Sequence, residues 1–232
     1  MRTHVRVMVI VLMVAAIGAI VPGPAGAQDF TKTRSGDRGG SWDFFLSPIY
    51  SESATIKGKG GSSVELNDDL GFGFGLGYNF NDHFQLNGLI NFNSRGYEAK
   101  AVRNDGTTKQ YSNYTESSTL SLNGVYYILS GNITPFVSGG VGYTYMDTNI
   151  QDGPPDDMCW YDPWWGYVCG SYMPTKTENA FSYNGGIGVR FDVNRNFGLQ
   201  AGYYKTWIDI NNASSTPDFD IWKLDFIFRF GD

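Results

Sequence analysis

Charged residues are scarce in this sequence, and most of the few charges are acidic. They make up 17% of the 232 residues and leave a net charge of −6, whereas about a quarter of an average protein is charged. No basic patch is available to neutralise phosphates, which argues against nucleic acid as a partner. After residue 27 the sequence also lacks any apolar run of about 18 residues, so it predicts no transmembrane helix.

The first 27 residues have the layout of a cleaved secretory signal peptide. A basic start at residues 2–6 precedes the uncharged apolar run 7–21, which a Pro-Gly-Pro break at 22–24 ends before the small residues 25–27. The alternative, a single membrane-spanning helix, is disfavoured because the run is short and the break follows it.

The rest of the chain is predicted to be one domain preceded by a tail. Residues 28–40 are polar and have nothing to bury, so they are predicted to form a flexible periplasmic N-terminal tail. Residues 41–232 are about the length of a single domain. They are rich in glycine and in aromatic rings, which account for 30 residues and 16% of the whole sequence respectively.

From residue 42 onwards, apolar residues recur at every second position. In residues 70–80, for example, Leu, Phe and Tyr alternate with Gly and Asn. This period predicts β-strands. Glycine normally weakens a strand, so four glycines on one face of residues 71–77 need a reason. A narrow barrel supplies it, because the inward face must be small or polar and the outward face then meets lipid.

The strands and their connections predict how the barrel is threaded. Eight strands are predicted, at residues 42–56, 69–80, 83–98, 112–128, 133–148, 178–191, 197–210 and 219–230. Short turns are predicted at 81–82, 129–132 and 192–196, and longer polar loops at 57–68, 99–111, 149–177 and 211–218. An even strand number with alternating short and long connections is typical of outer-membrane barrels, whose sheet must close because lipid offers no hydrogen-bond partner.

The sequence therefore predicts an all-β fold, an eight-stranded antiparallel transmembrane up-and-down β-barrel in a bacterial outer membrane. The short turns would face the periplasm and the long loops the exterior. A soluble secreted barrel of the lipocalin type is the competing fold. It would need an apolar interior and a charged exterior, which is the reverse of the observed pattern.

Several segments resemble the OmpW family of small outer-membrane barrels. Residues 134–143, with Pro135, Phe136 and a glycine-rich continuation, are similar to that family's Pro-aromatic-Val-small strand. Residues 185–210 are similar to its hairpin, with Asn194-Arg195 at the turn. Barrels of the OmpX and OmpA type share the architecture more loosely. The resemblance implies a narrow, rather apolar channel for small hydrophobic solutes.

The longest predicted loop contains both cysteines and a group of aromatic residues. An even pair in an exported chain predicts a disulfide between Cys159 and Cys169, and the rival interpretation is a metal pair that has no nearby histidine. The aromatic residues are a candidate external binding loop for a ligand, phage or host surface: Trp160, Tyr161, Trp164, Trp165 and Tyr167. Alternatively these rings pack on one another or lie at the lipid headgroups.

Charged residues also fall on the predicted inward face. They are Asp43, Arg95, Arg190, Lys223, Asp225 and Arg229. Such charges should be paired, either as a gate or as a structural plug of salt bridges. Asp43 begins the first strand and Arg229 ends the last, so barrel closure predicts that these two meet near the periplasmic rim.

Two functional classes remain in view: a narrow channel, and a structural or surface-interaction barrel whose external loops do the binding. An enzyme is disfavoured, since His83, the only histidine after the leader, follows a predicted periplasmic turn. No cofactor is expected. The expected partners are outer-membrane lipid, the barrel-assembly machinery that would read the alternating aromatic C-terminus, and a small hydrophobic solute.

Overall fold

The computed structural model describes residues 38–58, 61–102, 108–154, 156–172, 174–210, 213 and 215–231. Within these ranges the chain forms twelve strands. They are β1 (Trp42–Ser51), β2 (Ala54–Lys57), β3 (Ser63–Leu66), β4 (Asp69–Asn79), β5 (Phe84–Val102), β6 (Thr108–Tyr127), β7 (Ile133–Gln151), β8 (Asp156–Asp162), β9 (Gly166–Tyr172), β10 (Thr175–Asp192), β11 (Phe197–Ile208) and β12 (Asp218–Phe230). No helix among the described residues is long and apolar enough to cross a membrane.

Eight of the strands close into a ring. Its order is β1, β4, β5, β6, β7, β10, β11 and β12, with antiparallel neighbours throughout. The last strand pairs back to the first, from Trp42 opposite Phe230 to Ser51 opposite Ile221. Closure leaves the ring without an open edge, so its backbone groups are satisfied within the sheet. The predicted eight-stranded antiparallel barrel is confirmed.

The remaining four strands lie in the long connections. β2 and β3 form a hairpin that continues the sheet beside β5, and β8 and β9 form a separate hairpin. The prediction of one strand over 42–56 was wrong, because β1 ends at Ser51 and β2 begins at Ala54. Glu52 leaves the ladder between them, although its N–H still donates to the carbonyl oxygen of Asp220.

The predicted loops at 57–68, 99–111 and 149–177 are also more ordered than expected. The first contains β3, the third contains β8 and β9, and β5 and β6 extend into the second. Residues 108–112 of β6 are all exposed, so both faces there are wet and no alternation of apolar residues marks the strand. Backbone pairing with β5, which runs as far as Val102 opposite Thr108, holds it in place.

The alternation of side chains follows the predicted faces. On β4, Leu70, Phe72, Phe74 and Leu76 are exposed on the outer wall, while the intervening glycines face inward. Leu89, which breaks the polar pattern of β5, also points inward and packs with Phe45 and Ile227. Many aromatic rings therefore lie on the outer wall, and the interior holds three small apolar clusters among polar side chains.

A charge on the outer wall is expected to be costly. Phe226 lies on the outward face of β12, opposite Leu46 of β1 and Leu199 of β11. Phe226→Arg should lower the free energy of unfolding by roughly 2–4 kcal/mol if the site lies near the bilayer midplane. Urea unfolding in lipid vesicles measures this, with Phe226→Leu as the apolar control. Equal stability of the two variants would contradict the assignment of this face to lipid.

Candidate functional site in the barrel interior

The end of the ring that carries the three short turns, here named the short-turn end, is crossed by an ionic network around Asp43. Asp43 Oδ2 accepts from Arg190 Nη1 at 2.8 Å, and Oδ1 accepts from Arg229 Nε at 3.1 Å. The amides of Asn79 and Gln85 donate to Oδ2 at 3.0 and 2.8 Å. Asp43 is fully buried, so each of its contacts replaces a bond to water.

Asp192 bridges the same two arginines from the other side. Its Oδ1 accepts from Arg190 Nε and from Arg229 Nη2, both at 3.0 Å. Asp192 was predicted to lie in the turn at residues 192–196 and was missed as an interior charge. The available signal was parity, because Asp192 follows Arg190 by two residues and so shares its inward face.

Arg38 adds a third arginine to the network from outside the strands. Its side chain is fully buried, its Nη2 donates to the carbonyl oxygen of Leu129 at 3.2 Å, and its Nη1 lies 3.7 Å from Asp192 Oδ2. Burial lowers the pKa of this guanidinium, while Asp192 acts in the opposite direction. Of the predicted tail, residues 28–37 lie outside the described residues, and Arg38 lies against the barrel end.

Tyr127 fills the space between two of the arginines. The Arg38 and Arg190 guanidinium carbons lie 4.7 and 5.1 Å from the centre of its ring. Its hydroxyl accepts from Arg190 Nη1 at 2.8 Å and donates towards Gln85 Oε1 at 3.1 Å. Since Tyr127 itself is fully buried, this layer of three arginines, two aspartates and one ring closes the short-turn end.

The Asp43–Arg229 contact gives a prediction that isolates one pair within the network. Asp43→Asn and Arg229→Gln should be non-additive, with a coupling free energy of about 0.5–3 kcal/mol, because each side chain is buried against the other. Unfolding of the parent, both single variants and the double variant in lipid vesicles measures it. Strictly additive losses would mean that the two charges face water independently.

A second ion pair lies nearer the middle of the interior. Lys223 Nζ contacts Asp225 Oδ1 at 3.2 Å, and both side chains are almost fully buried. Asp225 also accepts from Ser47 Oγ at 2.5 Å and from Gln200 Nε2 at 3.0 Å, and Lys223 lies 5.1 Å from the ring of Tyr204. The structure thus brings five of the six predicted interior charges into two groups.

A cavity of about 120 Å³ lies beyond the ionic network, and we call it the lumen cavity. The cavity is lined by apolar side chains, among them Phe45 and Phe219, and by the polar side chains of several Asn, Ser and Thr residues. An apolar cluster lies towards the end with the long loops: Leu66, Tyr97, Ala180, Ile208 and Phe219. The interior is therefore partly filled and partly open.

Arg95, the sixth predicted interior charge, stands apart from both groups. It lines the lumen cavity and is 7% exposed. Its guanidinium carbon lies 5.6 Å from the ring centre of Phe219. Its Nη1 has no hydrogen-bond partner among the described residues.

The candidate binding loop is a stapled β-hairpin. Cys159 and Cys169 are paired directly across β8 and β9, and the disulfide is confirmed. The predicted aromatic residues are exposed on it, and the most exposed are Trp164 and Trp165, at 84% and 80%. Asp162 Oδ1 accepts from the N–H groups of both tryptophans at 2.8 and 2.9 Å, which fixes the turn.

Neither end of the molecule presents a metal centre within the described ranges. No group of three or more His, Cys, Asp and Glu side chains is placed to hold an ion there. Asp162 already caps the hairpin turn. His83 lies at the short-turn end, where its Nδ1 is 2.8 Å from the carbonyl oxygen of Tyr127 and its ring stacks on Tyr126.

Comparison with known proteins places this geometry in one family. The family model described as "Outer membrane protein beta-barrel domain" matches residues 14–230. Among solved structures, the outer membrane protein OprG from Pseudomonas aeruginosa matches with a TM-score of 0.51 and 14% identity over 85% of this chain and 99% of that one. No curated protein matches the sequence.

Two further solved structures match with lower TM-scores. The attachment invasion locus protein Ail of Yersinia pestis matches with a TM-score of 0.48 and 16% identity, covering 83% of this chain and 99% of that one. The outer membrane protease OmpT from Escherichia coli matches with a TM-score of 0.40 and 9% identity, covering 82% and 96%.

Proposed function

The chain belongs to the outer membrane protein β-barrel domain family, and we propose that within the outer membrane it forms a narrow conduit for small, largely apolar solutes. The observation that carries the proposal is the lumen cavity, since a purely structural barrel of this width would be filled by side chains. Its wall mixes apolar side chains such as Ile49, Leu89 and Val125 with polar ones, most of them uncharged. Such a lining suits a solute with an apolar body.

In this proposal the ionic network at the short-turn end is the gate. Asp43, Arg190 and Tyr127 are fully buried, so a solute in the lumen cavity does not reach that end without movement of these side chains. Two of the three guanidinium nitrogens of Arg38, Nε and Nη1, have no hydrogen-bond partner among the described residues, which makes its side chain the member of the network that moves at the lowest cost. Passage then begins with displacement of the Arg38 side chain from Tyr127, and movement of the other buried side chains of the network follows it.

Uptake into reconstituted vesicles tests the conduit, and adjacent residues of β6 give a matched pair of variants. Ser121 faces the lumen cavity, and Leu122 lies next to it on the exposed outer wall. Ser121→Trp should fill the cavity and abolish protein-dependent uptake of a small neutral solute, whereas Leu122→Trp should leave it unchanged. Equal uptake by both variants would contradict passage through the interior.

The alternative function is surface interaction through the β8–β9 hairpin. The observation that favours it is the pair of exposed tryptophans held on a disulfide-stapled turn, a rigid aromatic presentation common in binding surfaces. Replacement of Trp164 and Trp165 by serine should leave vesicle uptake intact if the conduit is the function. Loss of cell-surface binding with normal uptake would instead assign the function to the hairpin.

The proposed orientation puts this hairpin outside the cell. A cysteine introduced at Ser171, which is exposed on β9, should react with a membrane-impermeant thiol reagent on intact cells while the native pair stays oxidised. If labelling requires a broken outer membrane, the proposed orientation is the wrong way round.

The aromatic end of β12, with Phe228 and Phe230, is in either orientation the segment proposed to bind the assembly machinery.

The proposal assigns no chemical reaction to the barrel. His83, the histidine that a hydrolytic site would need, lies at the short-turn end with its Nδ1 2.8 Å from the carbonyl oxygen of Tyr127. The buried acids at that end, Asp43 and Asp192, bind the arginines of the network. Hydrolysis of lipid or peptide substrates by the purified barrel at a rate that His83→Ala abolishes would overturn this part of the proposal.

A further inference from the structure

Unsatisfied polar atoms mark one strip of the lumen wall. Seven buried side-chain atoms have no hydrogen-bond partner among the described residues, and four of these belong to the ionic network. The other three are Asn91 Oδ1, Asn93 Oδ1 and Arg95 Nη1. These residues occupy alternate positions of β5, so they share one face, and all three line the lumen cavity.

Arg95 is the unusual member of this strip. Arg95 is almost fully buried, with 7% of its surface exposed. It forms no salt bridge with any described residue, and its guanidinium lies beside the ring of Phe219. A buried cation without a partner costs several kcal/mol in general. Native proteins rarely keep such a group without a use for it.

The charges around the cavity define what Arg95 can bind. The other charged residues lining the cavity within the described ranges are Lys223 and Asp225, and these two neutralise each other at 3.2 Å. Asp69, at the start of β4, acts on Arg95 electrostatically but forms no salt bridge with it. An entering molecule therefore meets a positive charge that no described carboxylate contacts directly. A guanidinium binds a carboxylate through two parallel hydrogen bonds, which is its strongest ordinary pairing.

The rest of the cavity determines the body of the ligand. Phe45, Ile49, Leu89 and Ile221 contribute apolar surface, and a volume of about 120 Å³ is close to the roughly 150 Å³ that holds one benzene molecule. A chain of about six carbons has a similar size. Water bound with the carboxylate would donate to the two free asparagine oxygens.

We infer that the solute class of the conduit is a short apolar monocarboxylate, and that Arg95 is the residue that binds its carboxylate inside the lumen cavity. The inference rests on the proposed function, because it names what the conduit selects. When such a solute binds, its carboxylate neutralises the charge of Arg95 and its apolar chain contacts the apolar wall of the cavity.

Three probes of equal chain length separate charge from apolar contact: hexanoate, hexan-1-ol and hexylammonium. Equilibrium dialysis against the protein in lipid nanodiscs, corrected with empty nanodiscs, should rank hexanoate well above the other two. Arg95→Gln should weaken hexanoate binding by about tenfold or more, the usual effect of losing a hydrogen bond to a charged group, and leave hexan-1-ol unchanged. Lys100→Gln, on the same strand but exposed, removes the same charge as the control.

A stability measurement distinguishes this role from a structural one. If Arg95 is kept for a ligand, Arg95→Gln should unfold no more readily than the parent in the absence of hexanoate, because it removes an unpaired buried charge. A clear loss of stability together with unchanged hexanoate binding would make Arg95 a structural residue and overturn the inference. Equal binding of hexanoate and hexan-1-ol by the parent would also overturn it.

The two proposals fail in different ways. If neutral solutes enter vesicles through the parent but not through Ser121→Trp, the conduit stands whatever the hexanoate experiment gives. If the parent admits no solute beyond protein-free vesicles, the conduit itself fails. Carboxylate binding at Arg95 would then belong to a closed barrel.

Discussion

Asp43→Asn is expected to destabilise the barrel by about 3–5 kcal/mol, the cost of removing one partner from a buried ionic group. Asp43 receives two guanidiniums and two amides, and it is fully buried. The network holds three arginines against two aspartates, so it already carries an excess positive charge. Without Asp43, the three arginines would share Asp192 alone.

Arg38→Gln is the matched control for this result. Arg38 is equally buried, yet its removal leaves two arginines facing two aspartates and so brings the network to neutrality. We expect it to cost far less than Asp43→Asn, even though it forfeits the contacts with Leu129 and Tyr127. Urea unfolding of both variants in lipid vesicles makes the comparison. Similar losses would show that packing rather than charge balance governs this end of the barrel.

The ring of strands was predictable because its cause is local. A strand with lipid on one side and a narrow interior on the other must alternate, as residues 70–80 do, and the eight strands follow from that period. The β8–β9 hairpin is largely exposed, so no alternation of buried and exposed residues marks it. The β2–β3 hairpin packs Leu66 into the interior apolar cluster, but each of its strands has only four residues, the shortest length at which the period is recognised. The disulfide was an exception, because the pairing of the only two cysteines follows from export alone.

The interior network was predictable only in part. Closure fixes Asp43 opposite Arg229, because the first and last strands must pair. Arg190 reaches Asp43 across the interior from β10, and sequence parity gives its face but not the strand it reaches. Arg38 was missed because it lies in the segment predicted as a tail, where no period applies. Asp192 was missed because its strand was predicted to end at residue 191, one residue before it.

Arg95 shows a different limit. Its inward direction followed from the alternation of β5, and the expectation that interior charges are paired applied to it as to the others. The structure leaves it without a salt bridge to any described residue, while Lys223 and Asp225, only two residues apart, find each other. Pairing of an interior charge depends on which side chains reach the same point of the lumen, and a single strand does not contain that information.

Gly75→Arg is expected to abolish folding of the barrel. Gly75 faces inward on β4, and a Cβ atom there would meet the Gly88 carbonyl oxygen and lie 2.6 Å from Leu89 Cδ2. Backbone cannot give way as a flexible side chain does, so even a small side chain would force the two strands apart. An arginine adds an unpaired charge beside the apolar cluster of Phe45, Leu89 and Ile227.

Leucine at two glycines separates lack of room from charge. Gly88 lies on β5 beside Gly75 but faces outward, where an added Cβ meets no atom within 4 Å. Gly88→Leu should therefore fold and show the faster gel migration of an unheated barrel, while Gly75→Leu should migrate only as unfolded protein. Both variants replace a glycine by leucine on neighbouring strands, so intrinsic strand propensity does not explain a difference in folding between them. Folding of Gly75→Leu to the level of Gly88→Leu would mean that the glycine face of β4 is not the packed wall of the lumen.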